Sequence, residues 1–254
     1  MPAPLDIRII GITGMPEIQA GDDLAALLVA AAQRQGAEIN PGDVLVVTQK
    51  VVSKAEGRVV RLEDVEPSAL AIAISEGHRR DPRHTEIVLR ESKRIVRMDR
   101  GVIISETYHG FTCANAGVDA SNVPGATTLC LLPQDPDASA RRIRQGVQQA
   151  LGVSVAVIIS DTFGRPWRNG ATNVAIGVAG MEPMLSYVGQ EDASGKTLHT
   201  TVICVADEIA AAAELASGKV LGVPVVLVQG YPYQPSENAS HLALLRDPDK
   251  DLFR

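Results

Sequence analysis

Short unbroken apolar runs alternate with amphipathic stretches along this chain, and the two patterns predict different elements. IRIIGI (Ile7–Ile12), VLVVT (Val44–Thr48), VSVAVIIS (Val153–Ser160) and VPVVLV (Val223–Val228) are short and rich in Val, Ile and Leu. Runs of that length, bounded by turn residues, read as buried strands. ATTLCLL (Ala126–Leu132) reads as another strand, and a Gly- and Val-rich strand region spans Ala175 to Tyr187. Helices are predicted in LAALLVAAAQRQG, capped by Asp22 or Asp23 and ended by Gly36, and in EPSALAIAISEGH, with Pro67 in its first turn. DPDASARRIRQGVQQALG, with Asp135 and Asp137 at its positive end, and ADEIAAAAELASGK complete the clear helices.

The remaining segments are mixed. DPRHTEIVLRESKRIVRMDRGVIISETYHG starts as a helix and ends as two strands turning at Asp99–Gly101. Asn40–Asp43 is a turn, and QKVVSKAEGRVVRL carries Lys50 and Lys54 to a turn at Gly57 and a second β-rich segment. Strands and helices mix without strict βαβ alternation, and no repeat or linker interrupts them. The expected class is α+β: a mixed α/β core with mixed or antiparallel sheets, neither a P-loop nor a Rossmann fold, in a single domain over residues 1–254.

Composition narrows the function. The 254 residues are 45% hydrophobic and 21% charged, enough apolar mass for a substantial core. Aromatics are only 3%, net charge is −6 and no basic stripe is present, which argues against nucleic acid as a partner. MPAPLDIRIIGITG lacks the pattern of a signal peptide and no apolar run reaches membrane-spanning length, so a cytoplasmic protein with no membrane association is expected. Cys113, Cys130 and Cys204 match neither a zinc site nor a disulfide framework and are expected as buried thiols.

Two patterns are decoys. In GQEDASGKT (Gly189–Thr197) five residues separate Gly189 from Gly195, one more than the phosphate-loop spacing allows, and the β-branched sequence after it offers no helix N-terminus. It is expected to be a polar hairpin loop. His78, His84, His109, His199 and His241 show no i, i+4 pairing and are expected to be surface or satisfied histidines.

The strongest candidate is VAVIISDTFGRPWRNG, where an apolar strand ends at Asp161 and a polar loop is expected as far as Asn173. Ligands commonly meet the loops at the carboxyl ends of buried strands. Asp161 and the Thr162 hydroxyl are adjacent hard oxygens suited to Mg²⁺ or Mn²⁺; an Asp capping a turn beside a backbone-bonded Thr explains them equally well. In GFTCANAGVDASN (Gly110–Asn122), Asn115, Asp119 and Asn122 stand among small residues that let a backbone approach a ligand or metal ion. Asp119 and Asp161 from separate loops can share a cation that also touches a phosphate chain. Lys50 and Lys54 follow a buried strand and can act as point charges for phosphate, although two solvated lysines are the simpler reading by composition. The loop Met15, Pro16, Glu17, Ile18 lies between the first strand and the first helix.

GMPEIQAGDDLAALL, DVLVVTQKVVSKAEGR, CANAGVDASNVPG and ISDTFGRPWRNGATNVAIG together resemble the coenzyme F-420:L-glutamate ligases, the deazaflavin gamma-glutamyl ligases. The likeness runs in order over nearly the whole chain, without the nitroreductase-like C-terminal domain fused to some relatives. It implies an intertwined homodimer that uses GTP, two divalent cations (Mg²⁺ or Mn²⁺) and K⁺ to activate a carboxylate on the deazaflavin precursor, F-420-0, as an acyl phosphate. L-Glutamate then displaces phosphate, and further glutamates follow through gamma linkages. Carried over by match, Asp119 and Asp161 hold one divalent ion and Thr162 a second. Met15–Ile18, Gln49, Lys50, Lys54 and Asn122 lie around the nucleotide, with Gly218, Lys219 and Gly222 in the loop after the last long helix. Asp119, Asp161 and Lys54 are the expected catalytic groups. Arg165 and Arg168 are assigned to the anionic deazaflavin tail or the glutamate carboxylates on chemical grounds.

The chain departs from the family pattern in two places. Lys219 stands where relatives place a Gln on the second metal, and an ammonium is no metal ligand. Either water and substrate oxygens complete that second metal, or Lys219 partly replaces it. Relatives often carry small hydroxyl residues where Gln49 and Lys50 stand, so the contacts there differ.

Overall fold

Residues 5–78, 80–121 and 127–251 are described by a computed structural model of the chain, and Asn122 lies outside them. The first half of the chain runs β1 (Arg8–Ile12), α1 (Leu24–Gln35), β2 (Val44–Thr48), α2 (Gln49–Ala55), β3 (Val59–Arg61), α3 (Ala69–Glu76), α4 (Pro82–Arg90), β4 (Ser92–Asp99), β5 (Val102–Thr107) and β6 (Thr112–Ala114). The second half runs β7 (Thr128–Cys130), α5 (Pro136–Leu151), β8 (Ala156–Arg165), β9 (Arg168–Met181), β10 (Leu185–Ser186), β11 (Val202–Ile203), α6 (Val205–Ser217), β12 (Val225–Gln229) and β13 (Pro235–Ser236). The result is α+β with mixed and antiparallel sheets, as expected.

The central sheet has six strands in the order β1-β12-β2-β8-β9-β13, and within it β2 and β8 run parallel while the other pairs are antiparallel. Side chains alternate between its faces. Leu45, Val47, Val157, Ile159 and Leu227 pack beneath α1 and α5, whereas Val44, Val46, Ile158 and Val226 pack against α6. Helices on both faces explain why the apolar runs show no polar alternation. Each side chain of this size contributes about 1.5–3 kcal/mol when fully buried. A third cluster, including Leu62, Val88, Ile103 and Leu129, joins α4 to the smaller β3–β7 and β4–β5–β6 sheets.

Several boundaries differ from expectation for physical reasons. The strand through Ser160 does not stop at Asp161. β2 ends at Thr48, opposite Ser160, but β8 continues beside β9 with Asp161 facing Val174 and Thr162 facing Asn173. The expected polar loop is therefore a two-stranded arm whose strands satisfy each other's backbone groups. Pro166 and Trp167 alone separate β8 from β9. The expected strand region from Ala175 accordingly starts earlier, at Arg168, and ends at Met181 before the short β10.

Gln49–Ala55, Val-rich and read as a passage toward strand, is helix α2. Val51 and Val52 bury, and Ser53 Oγ donates to Gln49 Oε1 at 2.8 Å one turn back. Helical spacing places Lys50 and Lys54 on one face. Asp23 caps α1 through the Ala26 amide, while Asp22 closes the preceding loop through the Gln19 amide. Ser68 caps α3, so Pro67 precedes that helix instead of opening it. Cys113 and Cys130 are buried as expected and Cys204 is half-buried. Among the described residues no helix is long and apolar enough to cross a membrane.

Candidate functional site

The parallel pair β2 and β8 opens a crevice where both strands leave the sheet interior, since Thr48 lies opposite Ser160 and the chain diverges beyond them. A cavity of about 700 Å³ occupies this place. Its walls are the Met15–Ile18 loop, Gln49, Lys50 and Lys54 of α2, Asp119, Asp161 and Thr162 of β8, and Gly218, Lys219 and Gly222 after α6. Every described candidate except Asn115, Arg165 and Arg168 thus lines one cavity of the size that holds small molecules. Arg165 and Arg168 sit on the β8–β9 arm outside it. The Arg165 guanidinium donates to the carbonyls of Asn169 and Gly170, bracing the turn, beside an exposed Trp167 with φ of 58°.

Asp119 is delivered by a turn that needs small residues. Asn115, Ala116 and Gly117 have φ of 52°, 53° and 70° in succession, a left-handed run that L side chains resist. Asn115 holds the turn: its Oδ1 accepts from Arg80 Nη1 at 3.0 Å and from the Ile103 amide at 3.2 Å. Asp119 then exchanges backbone hydrogen bonds with Cys130 of β7. Its Oδ2 accepts from Lys50 Nζ at 2.6 Å and Ser121 Oγ at 2.8 Å, and its Oδ1 from the Ser121 amide. Burial works to raise its pKa, but these hydrogen bonds and the Lys50 charge hold the carboxyl below its usual range.

Asp161 is in the opposite condition. Burial pushes its carboxyl up to about 6, the Thr162 backbone N–H works against this, and the Asp119 charge adds to it; Lys219 and Lys50 offset only part. Lys54 Nζ is engaged at 2.6 Å by Glu17 Oε1, tying the Met15–Ile18 loop to α2. On the α6 side, the Lys219 ammonium donates to Thr162 Oγ1 and Thr162 donates to Asn173 Oδ1 at 2.7 Å. Asn173 Nδ2 in turn donates to Glu214 Oε2 at 2.8 Å.

The donor set fits a divalent cation that travels with a phosphate chain. Asp119, Asp161 and Thr162 offer hard oxygens to such an ion. Among the described residues no cluster of three or more His, Cys, Asp or Glu forms a full cage. Such an ion would be completed by water and substrate oxygens, the usual habit of Mg²⁺. Gln49 Nε2 and Ser160 Oγ are buried without a hydrogen-bond partner among the described residues, and both residues line the cavity. Buried polar atoms left this way suit a polar ligand.

Sequence reasoning missed Ser121, Ser160, Asn173 and Glu214. Asn173 and Glu214 become visible only through the β8–β9 register and the packing of α6 on β9. Ser160 carried no signal beyond adjacency to Asp161, and Ser121 none beyond lying two residues after Asp119.

Comparison with known proteins places this arrangement in a family. The family described as F420-0:Gamma-glutamyl ligase matches residues 13–230. The chain is 45% identical to a Coenzyme F420:L-glutamate ligase of Methanothermobacter thermautotrophicus, over 98% of this chain and 100% of that protein. It is 41% identical to one from Methanopyrus kandleri, over 98% of each, and 39% identical to one from Methanocaldococcus jannaschii, over 98% of this chain and 97% of that protein. On this likeness, which extends through every cavity-forming element, the chain belongs to the F420-0:gamma-glutamyl ligase family.

Proposed function

We propose that this chain is a GTP-dependent ligase that joins L-glutamate to the carboxylate of the deazaflavin precursor F-420-0 and adds further glutamates by gamma linkage. The observation that carries this reading is the convergence of Asp119, Asp161, Lys50, Lys54 and Lys219 on one cavity. It is supported by full-length relatives that bear the name Coenzyme F420:L-glutamate ligase.

The reaction balances in two displacements. A carboxylate oxygen of the acceptor attacks the γ-phosphorus of GTP, and GDP leaves. The glutamate amine then attacks the acyl carbon, the amide C–N bond forms, phosphate departs with the acceptor oxygen and the amine loses a proton. Divalent cations, Mg²⁺ or Mn²⁺, would be held by Asp119, Asp161 and Thr162 and would neutralise phosphate charge during transfer. Lys50 and Lys54 hand their ammonium groups from Asp119 and Glu17 to the phosphates, and release of Glu17 lets the Met15–Ile18 loop close over the nucleotide. Gln49 supplies an amide donor and Lys219 a positive charge at Thr162, the point where its departure from the family pattern matters. Gly218 and Gly222 allow the loop after α6 to approach the ligand. Arg165 and Arg168, outside the cavity on the arm, meet the anionic tail of the acceptor. K⁺ and the intertwined homodimer enter this reading through the family likeness alone.

A heavy-oxygen label in the acceptor carboxylate tests the activation step. Label recovered in the released phosphate supports the acyl phosphate. Product formed with unlabelled phosphate rules it out.

A further inference from the structure

We propose that Asn173, backed by Glu214, is a positioning residue that presents the Thr162 oxygen to a cation in the cavity. The proposal rests on the ligase reading above and assigns a role to two residues that it does not use. Its basis is a hydrogen-bond chain whose direction is forced at both ends. An ammonium only donates and a carboxylate only accepts. Lys219 Nζ stands at one end and Glu214 Oε2 at the other, so each intermediate group has one orientation available.

Asn173 must turn its NH₂ toward Glu214, at 2.8 Å, which leaves its Oδ1 facing Thr162 at 2.7 Å. The Thr162 proton is consumed in that contact, which leaves its oxygen an acceptor only, and it accepts from the cavity-lining Lys219 ammonium. A Thr hydroxyl without such a partner rotates freely and offers its proton as readily as its lone pairs. Asn173 is itself buried, at 4% exposure, and the strand register holds it opposite Thr162. The cation that uses the oxygen in this structure is the Lys219 ammonium; a divalent ion arriving with the nucleotide would find the same lone pairs.

Outer partners that orient a cation's ligands set affinity by about 10–100-fold. The test is a double-mutant cycle on binding of a fluorescent GTP analogue with Mn²⁺, using Asn173→Ala, Glu214→Gln, Thr162→Val and the double variant Thr162→Val/Asn173→Ala. The expected result is a loss of about 10-fold or more for Asn173→Ala. Glu214→Gln gives a smaller loss, because the neutral amide lets Asn173 flip. The double variant binds no more weakly than Thr162→Val alone. Urea transitions of each variant separate a positioning loss from unfolding, and the isosteric Glu214→Gln decides the matter if Asn173→Ala does not fold.

Wild-type affinity in both Glu214→Gln and Asn173→Ala overturns the proposal. So does an Asn173→Ala loss that recurs in full on top of Thr162→Val. Repeating the cycle in Lys219→Met identifies the cation: the Asn173 effect vanishes if the ammonium is the user and persists if Mn²⁺ is. A wild-type chain that binds no nucleotide overturns the GTP reading itself, and this role with it.

Discussion

Lys50 Nζ and Asp119 Oδ2 meet at 2.6 Å although 69 positions separate them in the chain. One residue comes from the helix that follows β2, the other from the segment after the left-handed Asn115–Gly117 turn, paired with Cys130 of β7, and both line the cavity. The ammonium occupies the carboxylate that a divalent cation would need. On the proposed reading, Lys50 and the metal would compete without nucleotide, and nucleotide phosphates would draw Lys50 away.

Lys50→Met is therefore expected to tighten binding of Mn²⁺ alone while raising the KM for GTP. Paramagnetic resonance titration reads the first and initial rates the second. Weaker Mn²⁺ binding in the variant would show that the ammonium does not compete for this carboxylate.

Asp161→Asn separates function from stability. Burial raises the Asp161 carboxyl to about 6, so its charged form is disfavoured by the fold. A neutral isostere removes that cost, and the urea midpoint should stay level or rise. Turnover should fall by at least ~100-fold, the scale on which a lost electrostatic contact to the reacting group acts. A variant that keeps both its activity and its bound metal contradicts the assigned role.

Gly117→Ala tests the turn that delivers Asp119. Gly117 has φ of 70°, and an added Cβ would stand 2.8 Å from Leu132 side-chain atoms. Left-handed strain and overpacking together should cost about 2 kcal/mol or more. The Mn²⁺ requirement for activity should rise as Asp119 is displaced. An unchanged urea midpoint would show that the turn relaxes without cost.

A pH dependence of stability follows from His241 and Asp137. His241 Nδ1 lies 2.9 Å from Asp137 Oδ2, and Nε2 lies 3.2 Å from the His109 carbonyl, so both ring nitrogens face acceptors. Burial opposes charge on the ring, but the Asp137 hydrogen bond and charge hold its pKa above the ordinary 6.5. A raised pKa contributes stability that is complete below 6.5 and lost as pH climbs through the folded value. Asp137 shifts the other way: against the effect of burial, His241 and Ser240 hold its pKa below the ordinary 3.8, so its contribution fades only as pH falls through that lower value. The urea midpoint should decline as pH rises above 6.5, and His241→Asn should flatten that decline. An equal slope in the variant would assign it to other groups.

The buried strands were legible because Val, Ile and Leu without polar alternation have few other uses, and helices cover both faces of the sheet they form. The β8–β9 arm was not, because polar residues after an apolar run read as loop unless the partner strand is known. α2 was hidden by its valines, which bury on one side of a helix as readily as in a strand. Asp119 and Asp161 stood out as candidates because they carry charge beside small or apolar neighbours; Lys50 and Lys54, which read by composition as solvated, were singled out by the family resemblance, and the structure brings all four to one cavity. Asn173 and Glu214 stayed hidden because their contacts depend on cross-strand register and on the packing of α6, neither of which has a local pattern.

Ligation driven by GTP is open to a single omission assay. Purified chain receives GTP, Mn²⁺, K⁺, L-glutamate and unglutamylated deazaflavin, each omitted in turn, with GDP and product mass followed together. The expected result is a gain of one or more glutamyl units, with sustained GDP formation only when the nucleotide, divalent cation, glutamate and acceptor are all present. GDP released without any gain in acceptor mass would contradict it and point to a hydrolase acting from the same cavity.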